Sequence, residues 1–96
     1  MELITSRRNP LVGRLRALHQ SKGRREQGLL LLEGTHQLQE LLRLGLSPEQ
    51  LLATPAWLER HGSLLGGLNE RLQPVGETVL AAVATTETPD GVVATF

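Results

Sequence analysis

Short apolar segments, separated by polar residues, glycines and prolines, run along the whole chain and predict eight secondary-structure elements. Leu11, Leu15 and Leu18 recur at helical spacing. They follow Asn9-Pro10, which favours a helix start because Asn caps free N–H groups and Pro fits the first turn. By the same criteria we predict helices at 10–20, 35–44, 55–60 and 77–84, and strands at 29–32, 50–53, 72–75 and 91–96.

Four consecutive leucines, 29–32, form the first predicted strand. Leucine also favours helices, but the flanking Gly28 and Gly34 and the short length favour a strand covered on both faces, as in a parallel sheet. Pro74 places the third strand at an edge or a bend because proline cannot donate a ladder hydrogen bond. Helices and strands alternate, which predicts an α/β fold: a three-layer α/β/α sandwich around a small, mostly parallel four-stranded sheet.

The length of 96 residues suits a single domain, and the composition excludes several classes of protein. Because the chain has no cysteine, it has no disulfide framework, thiolate metal site or cysteine nucleophile. The three histidines lack the close spacing of metal ligands, so we predict no metal site. No apolar run approaches the roughly 20 residues of a membrane span, and the first residues do not form a secretory signal. We therefore predict no membrane contact and a cytoplasmic location.

The net charge of zero hides a strong asymmetry between the two parts of the chain. Residues 1–28 carry seven cations, six of them Arg, against two Glu, a net charge of +5, whereas residues 29–96 carry a net charge of −5. Arg presents a planar fork that binds phosphate through two hydrogen bonds, so the basic end favours contact with a polyanion. The alternative is a charged segment that only faces water. With two aromatic residues, Trp57 and Phe96, the chain has little capacity for base stacking.

Two segments near predicted strand ends add candidate ligand contacts, while catalytic motifs are absent from the sequence. The turn 33–36 begins a helix, where free N–H groups suit a phosphate and Thr35 or His36 adds a donor. The loop 85–91 carries several hydroxyl groups suited to a sugar-phosphate backbone. Ordinary strand-to-helix geometry and an ordinary turn are the alternatives. The sequence contains no nucleophile elbow, dinucleotide-binding glycine motif or phosphate loop, and no evident carboxylate pair.

The chain opens with a Ser-x-x-Asn-Pro motif at 6–10 that leads into a basic helix. Arg24 precedes Gly28 by four residues, and an apolar strand with Glu-Gly at 33–34 follows. The chain closes on Thr-Pro-Asp-Gly at 88–91 and a further apolar strand. In this order and spacing the motifs resemble the N-terminal substrate-binding domain of RNA ribose 2′-O-methyltransferases of the SpoU (TrmH) family, within the SPOUT class. In that family Gln is common where this chain has the Asp of its last motif.

The resemblance implies that residues 1–96 form a single RNA substrate-binding domain, folded like the kink-turn-binding ribosomal proteins and followed by a catalytic domain in a longer protein. That catalytic domain binds S-adenosylmethionine, dimerises and methylates a ribose 2′-hydroxyl, often of ribosomal RNA. The 96-residue chain is expected neither to bind the cofactor nor to catalyse the reaction alone. The predicted RNA-binding residues are Arg7, Arg8, Asn9, Arg14, Lys22, Arg24, Arg25, Gly34, Thr35 and Thr88.

Two other functions stay open at this point. The first is an assembly module whose basic segment pairs with an acidic protein surface, such as that of the catalytic domain. The second is a standalone RNA binder, similar to a ribosomal protein, with no enzyme attached. If the chain binds structured RNA, we expect recognition through shape and phosphates, with weak and salt-sensitive affinity.

Overall fold

The computed structural model describes residues 2–96, which form five α-helices and four β-strands. All eight predicted segments contain an element of the predicted type, and one helix, α2, is additional. None of the helices in this range is both long and apolar enough to cross a bilayer. The elements in chain order are α1 Pro10–Arg16, α2 Ser21–Gln27, β1 Leu31–Glu33, α3 Thr35–Arg43, β2 Gln50–Ala53, α4 Pro55–His61, β3 Leu72–Pro74, α5 Glu77–Val83 and β4 Val92–Thr95.

The four strands form one mixed sheet in the order β1-β4-β2-β3. β4 pairs antiparallel with both β1 and β2, whereas β2 and β3 pair in parallel. The prediction of a mostly parallel sheet is therefore wrong, although β1, β2 and β3 all point in the same direction. β3 lies at an edge, as Pro74 indicated.

The position of α5 explains why β4 runs against its neighbours. The helix begins beside β3, where Gly76 N donates to Ile4 O at 2.8 Å and Ile4 pairs with Val75. The chain leaves the helix beside β1, at the opposite edge, where Thr85 N donates to the Glu33 carboxylate at 3.0 Å. Both contacts lie at the carboxyl ends of β3 and β1, and the seven residues of α5 span about 10 Å. Because α5 crosses this end of the sheet, β4 starts there and runs in the reverse direction.

Helices cover both faces of the sheet, as the three-layer prediction requires. Successive strand residues point to opposite faces: Leu52 and Val93 pack with α1 and α5, whereas Leu51 and Ala94 pack with α3 and α4. Trp57 of α4 is completely buried in the second of these clusters. The chain thus has an apolar layer on each side of the sheet, and burial of this surface is the main force that stabilises the fold.

α1 is shorter than predicted, and α2 follows it where the sequence indicated a loop. Gln20 has extended backbone angles, φ −111° and ψ 146°, which separate the two helical segments. Gly23 is buried where α2 packs against the preceding 3-10 turn, Ala17–His19. A Cβ atom added to Gly23 would lie 2.0 Å from Ala17 O. The prediction of a helix to Gln20 and a loop after it is wrong because Gly23 permits close packing instead of forming a turn.

β1 differs from the prediction in its bounds and in its burial. All three of its residues are half-buried, because β1 lies at the edge of the sheet. Leu30, which precedes it, is 53% exposed. A strand covered on both faces does exist, but it is β4, whose four residues are all buried between β1 and β2.

Candidate nucleic-acid interface

The turn that precedes α1 presents two arginines on a fixed backbone. Asn9 N donates to Ser6 O at 3.1 Å, and Arg8 N donates to Ser6 Oγ at 3.1 Å. The Asn9 side chain accepts a hydrogen bond from Leu11 N at 2.9 Å and caps α1, as predicted. Arg7 and Arg8 occupy the two middle positions of this turn, and both are exposed.

A concavity of about 510 Å³, named here the arginine cavity, lies between this turn, α1 and the last turn of α5. Its lining residues are Ser6, Arg7, Arg8, Val12, Arg16 and Ala82. Arg16 Nη1 donates to Ala82 O at 2.9 Å, which holds this guanidinium against α5. The lining contains no acidic residue, and the ion pairs among residues 2–96 involve none of its three arginines.

A second concavity of about 500 Å³, named here the threonine cavity, lies at the carboxyl end of β1. It is enclosed by β1, the start of α3 and the loop 85–91. Its polar lining residues are Glu33, Gln37, Thr85, Thr86, Thr88 and Asp90. Gly34 also lines it, and Thr35 is hydrogen-bonded to Asp90 in its wall. The structure therefore brings together Gly34, Thr35 and Thr88, three of the predicted site residues.

The Glu33 carboxylate holds the beginning of the loop 85–91. Thr85 N donates to Glu33 Oε1 at 3.1 Å and to Oε2 at 3.0 Å, and the Thr85 hydroxyl also donates to Oε2. Thr86 N adds a longer hydrogen bond to Oε1, at 3.4 Å. The end of β1 and the segment that follows α5 are thus joined at a single side chain.

Asp90 holds the other end of the loop on the start of α3. Thr35 N donates to Asp90 Oδ2 at 2.7 Å, and Trp57 Nε1 donates to Thr35 Oγ1 at 2.7 Å. Hydrogen bonding from the Thr35 side chain, and then from its backbone N–H, holds the pKa of Asp90 below its usual range. Desolvation opposes this shift, and the charges of His61 and Arg60 add smaller effects that lower the pKa. The carboxylate occupies the position at the helix start where the sequence suggested a phosphate.

The loop ends at Gly91, where the backbone passes close to α4. Gly91 has a φ of 117°, and a Cβ atom there would lie 2.9 Å from Trp57 Cβ and 3.2 Å from Thr54 Oγ1. Thr54 N donates to Gly91 O at 3.0 Å, and Thr54 Oγ1 caps α4 by accepting from Trp57 N at 3.2 Å. Glycine at this position therefore lets the loop close against the start of α4.

Arg14 and Lys22 lie outside the arginine cavity. Arg14 lines another concavity, which also contains the acidic residues Glu49 and Glu70. Lys22 forms an ion pair with Glu26 over 3.9 Å, and both side chains are largely exposed. Such exposed pairs add little stability, so Lys22 remains available to an external anion.

Arg24 and Arg25 also lie apart, in a third concavity that begins at α2. The concavity is lined in part by Leu29 and by the exposed Leu30. Arg24 Nη1 donates to Leu18 O at 3.1 Å, so this half-buried arginine fixes the turn that follows α1. The predicted cations are therefore divided among several parts of the surface instead of forming one continuous basic face.

The predicted site residues do not include Arg16, and Glu33 was predicted only as a member of the turn 33–36. The available signal for Arg16 was its position four residues after Val12, because residues at i and i+4 share a helix face. No local pattern indicates the contact between Glu33 and Thr85, which lie 52 residues apart in the sequence. This contact follows from the path of α5 across the sheet.

The two cavities lie on either side of the end of α5. Ala82 lines the arginine cavity, and Thr85, three residues later, lines the threonine cavity. Three residues extend over at most about 11 Å. The cluster of guanidinium groups is therefore close to the cavity lined by hydroxyls and carboxylates.

The family model described as "MRM3-like substrate binding domain" matches residues 9–94 of this sequence. The chain belongs to this family. An uncharacterized tRNA/rRNA methyltransferase of Synechocystis sp. is 47% identical over 96 residues, an alignment that covers 97% of this chain and 35% of the relative. The MRM3-like domain therefore spans about a third of the length of this curated relative.

Solved structures agree with this assignment of the MRM3-like domain. The structure of an RNA 2′-O ribose methyltransferase matches 98% of this chain with a TM-score of 0.83 and 29% identity, over 36% of its own length. An rRNA methyltransferase from Sinorhizobium meliloti matches 99% of this chain with a TM-score of 0.78 and 27% identity, again over 36% of its length. The structure of an AdoMet-bound rRNA methyltransferase from Sinorhizobium meliloti matches with the same TM-score, identity and coverage.

The resemblance drawn from the sequence motifs is confirmed, and each motif has a structural role in the MRM3-like domain. Ser6 and Asn9 fix the turn that carries two arginines. Arg24 holds the turn that follows α1. Glu33 and Asp90 tie down the two ends of the loop 85–91. The motifs at 6–10, 33–34 and 88–91 thus shape the surface at the end of α5, whereas Arg24 acts at the turn after α1.

Proposed function

We propose that this domain binds structured RNA, in particular ribosomal RNA, and delivers it to the catalytic domain of an S-adenosylmethionine-dependent ribose 2′-O-methyltransferase. Its membership of a substrate-binding family and its similarity to parts of RNA methyltransferases support this function. The structural observation that carries the proposal is the arginine cavity, in which three guanidinium groups surround a concavity without an acidic residue. Guanidinium groups in such a setting favour phosphate.

In this proposal the predicted residues have different roles. Arg7 and Arg8 contact RNA phosphates directly, while Asn9 fixes the turn that carries them. Gly34, Thr35 and Thr88 form or support the wall of the threonine cavity, which meets the sugar or base of the same RNA segment. Because Asp90 already accepts the Thr35 N–H, we assign no phosphate to the start of α3.

The remaining cations extend the contact over a wider RNA surface. Lys22, Arg24 and Arg25 lie on α2 and supply phosphate contacts at a distance from the arginine cavity. Arg14 contributes less, because Glu49 and Glu70 share its concavity and repel phosphate. These contacts add salt-dependent affinity without sequence information.

The longer protein is part of the same proposal. A catalytic domain follows residues 1–96 in the same polypeptide, binds S-adenosylmethionine and forms a homodimer in the cytoplasm. The domain described here covers 35–36% of its full-length relatives, which leaves room for such a domain. S-adenosylmethionine supplies the methyl group, and we assign no residue of this chain to holding it. We also propose a likeness to kink-turn-binding ribosomal proteins, supported by helices on both faces of a four-stranded mixed sheet.

The test of this function is an RNA titration of the 96-residue chain at 50 and 200 mM salt. The probes are structured rRNA fragments, one kink-turn RNA and a duplex of the same length. We expect binding to structured RNA that weakens at least tenfold between the two salt concentrations, and a further loss of affinity in the Arg7→Gln/Arg8→Gln double variant. Absence of binding at 50 mM salt, or affinity indifferent to salt, would contradict the proposal. Equal affinity for the kink-turn RNA and the duplex would contradict the likeness to kink-turn binders but leave the proposal of RNA binding standing.

A second function, docking onto an acidic protein surface, is favoured by the concavity at α2. There Arg24 and Arg25 lie next to Leu30, which is 53% exposed, and protein interfaces combine apolar and Arg contacts in this way. The Arg24→Glu/Arg25→Glu variant separates the two functions. If the variant no longer crosslinks to RNA but still assembles with the catalytic domain, RNA binding at α2 is supported. If it no longer assembles with the catalytic domain but still crosslinks to RNA, docking is supported.

A further inference from the structure

Arg16 lines the arginine cavity and is already hydrogen-bonded to the last turn of α5. Arg16 lies at the end of α1, and one of its N–H groups is bound to Ala82 O at 2.9 Å. A guanidinium group has five N–H donors, so four remain after this contact. The Ala82 contact reduces the freedom of a long side chain, which lowers the entropy that Arg16 loses when it binds a ligand.

The opposite wall of the cavity is equally well fixed. The turn that carries Arg7 and Arg8 is closed by two hydrogen bonds to Ser6, each of 3.1 Å. The preceding Ile4 is bound to the β3–α5 connection, because Ile4 N donates to Pro74 O at 3.1 Å. The turn and the start of α5 are thus attached to the same edge of the sheet, and the Arg16 contact with Ala82 O joins α1 to the last turn of this helix.

The charges of the arginine cavity are not neutralised by the protein. Within residues 2–96 the ion pairs are Lys22–Glu26 and Arg43–Glu40, and neither involves an arginine of this cavity. Three like charges around one concavity repel one another, so an anion that binds between them relieves this repulsion. The Ser6 hydroxyl, which accepts the Arg8 N–H, still has its own proton to donate.

We propose that Arg7, Arg8 and Arg16 form a subsite for one phosphate group of the bound RNA, with Arg16 as its pre-positioned member. This inference rests on the proposed function and specifies where a backbone phosphate binds. The phosphate takes charge-assisted hydrogen bonds from the three guanidinium groups and from the Ser6 hydroxyl. The neighbouring threonine cavity, lined by Glu33 and Asp90, repels phosphate and receives the adjoining uncharged part of the nucleotide.

The first test measures RNA affinity for Arg16→Gln beside the control Arg43→Gln. Arg43 carries the same charge, lies on the opposite face of the sheet and pairs with Glu40 at the surface. We expect Arg16→Gln to weaken binding about tenfold at 50 mM salt and to reduce the slope of log affinity against log salt by about 1. Arg43→Gln should change affinity less than twofold. An Arg16→Gln variant with wild-type affinity and slope would overturn the subsite.

A double-variant cycle tests whether the arginines share one phosphate. If Arg8 and Arg16 bind the same group, the Arg8→Gln/Arg16→Gln variant should lose clearly less affinity than the product of the two single losses. Losses that multiply would show separate phosphates and overturn the proposal. The control is the Arg8→Gln/Arg43→Gln variant, in which the two losses of affinity should multiply because Arg43 lies on the opposite face of the sheet.

A titration with inorganic phosphate separates this inference from the proposed function. In NMR spectra of the Arg side-chain N–H groups, millimolar phosphate should shift the Arg16 signal and leave Arg43 unchanged. If phosphate shifts the Arg16 signal but the chain binds no RNA, the cavity is an anion site whose ligand is not an RNA phosphate, which contradicts the proposal. RNA binding with no response of Arg16 to either phosphate or RNA would overturn the subsite and leave the proposed function standing. The wild-type chain is used here, so the readout does not depend on the folding of a variant.

Discussion

The two carboxylates that border the threonine cavity set the shape of the loop between them. Glu33 accepts hydrogen bonds from the first residues of the loop, and Asp90, near its end, accepts one from the start of α3. Asp90 lies where the start of α3 offers a free N–H group, an arrangement that favours the ionised form of this acid. Asp90 is also linked through Thr35 to the buried Trp57, so a surface loop is coupled to the core by two hydrogen bonds.

Replacement of Asp90 by Asn should produce a pH-dependent loss of stability. Asn still accepts the Thr35 N–H, so the expected loss at pH 7 is the charge contribution, which solvent screening of this exposed residue reduces to about 0.5–1 kcal/mol of unfolding free energy. Because folding lowers the pKa of Asp90, its ionised form stabilises the fold above the unfolded-chain value of about 3.9. That contribution is lost as the pH falls through the lower folded-state pKa.

Urea unfolding of the wild type and of Asp90→Asn between pH 7 and pH 2.5 measures this effect. The difference between the two proteins should shrink towards zero at the acid end of the range. The control is Glu87→Gln, which removes an exposed carboxyl group from the same loop. A difference for Asp90→Asn that is constant with pH would show that the charge of Asp90 does not stabilise the loop.

At the scale of elements, local signals predicted where helices and strands occur but not how they pack. Asn9 with Pro10 and Thr54 with Pro55 begin helices as predicted, because capping depends on neighbouring residues alone. The direction of β4 depends on the path of α5 across the sheet, which no local pattern contains. Gly23 has the same sequence signature as a turn glycine, and its role as a packing position appears only when α2 meets the turn after α1.

The two glycines of the first helices should respond to alanine in opposite directions. A Cβ atom at Gly23 would lie 2.0 Å from a backbone oxygen, so Gly23→Ala must displace α2 and should destabilise the fold by about 2 kcal/mol or more. Gly13, in α1, has no atom within 4 Å of the position of an added Cβ. Gly13→Ala should therefore stabilise the fold by about 0.5–1 kcal/mol through helix propensity.

Thermal and urea unfolding of the two alanine variants decides this prediction. If Gly23→Ala were as stable as the wild type, the close contact between α2 and the preceding turn would not exist in solution. Gly13→Ala is the matched control because it makes the same chemical change in the neighbouring helix. A destabilised Gly13→Ala would show that α1 has a different environment from the one described here.

At the scale of the whole molecule, the sequence predicted an arginine-rich N-terminal part but not how the fold arranges its cations in space. The excess of arginine in residues 1–28 and the motif resemblance indicated phosphate contacts and a substrate-binding domain. The fold then distributes these cations, because α1 and α2 expose them in different directions. Packing of α1 against α5, which lies far away in the sequence, then holds Arg16 against Ala82 in the cavity that also contains Arg7 and Arg8.

In the function proposed above, RNA binds across the end of α5, over the arginine and threonine cavities. The most direct measurement is an NMR titration of the isotope-labelled chain with a structured rRNA fragment that binds it. We predict that signals of residues 6–9, Arg16, Ala82 and 85–91 change, whereas those on the outer side of α3 and α4, including Arg43, stay unchanged. Changes confined to α3 and α4, with none at the end of α5, would contradict the account.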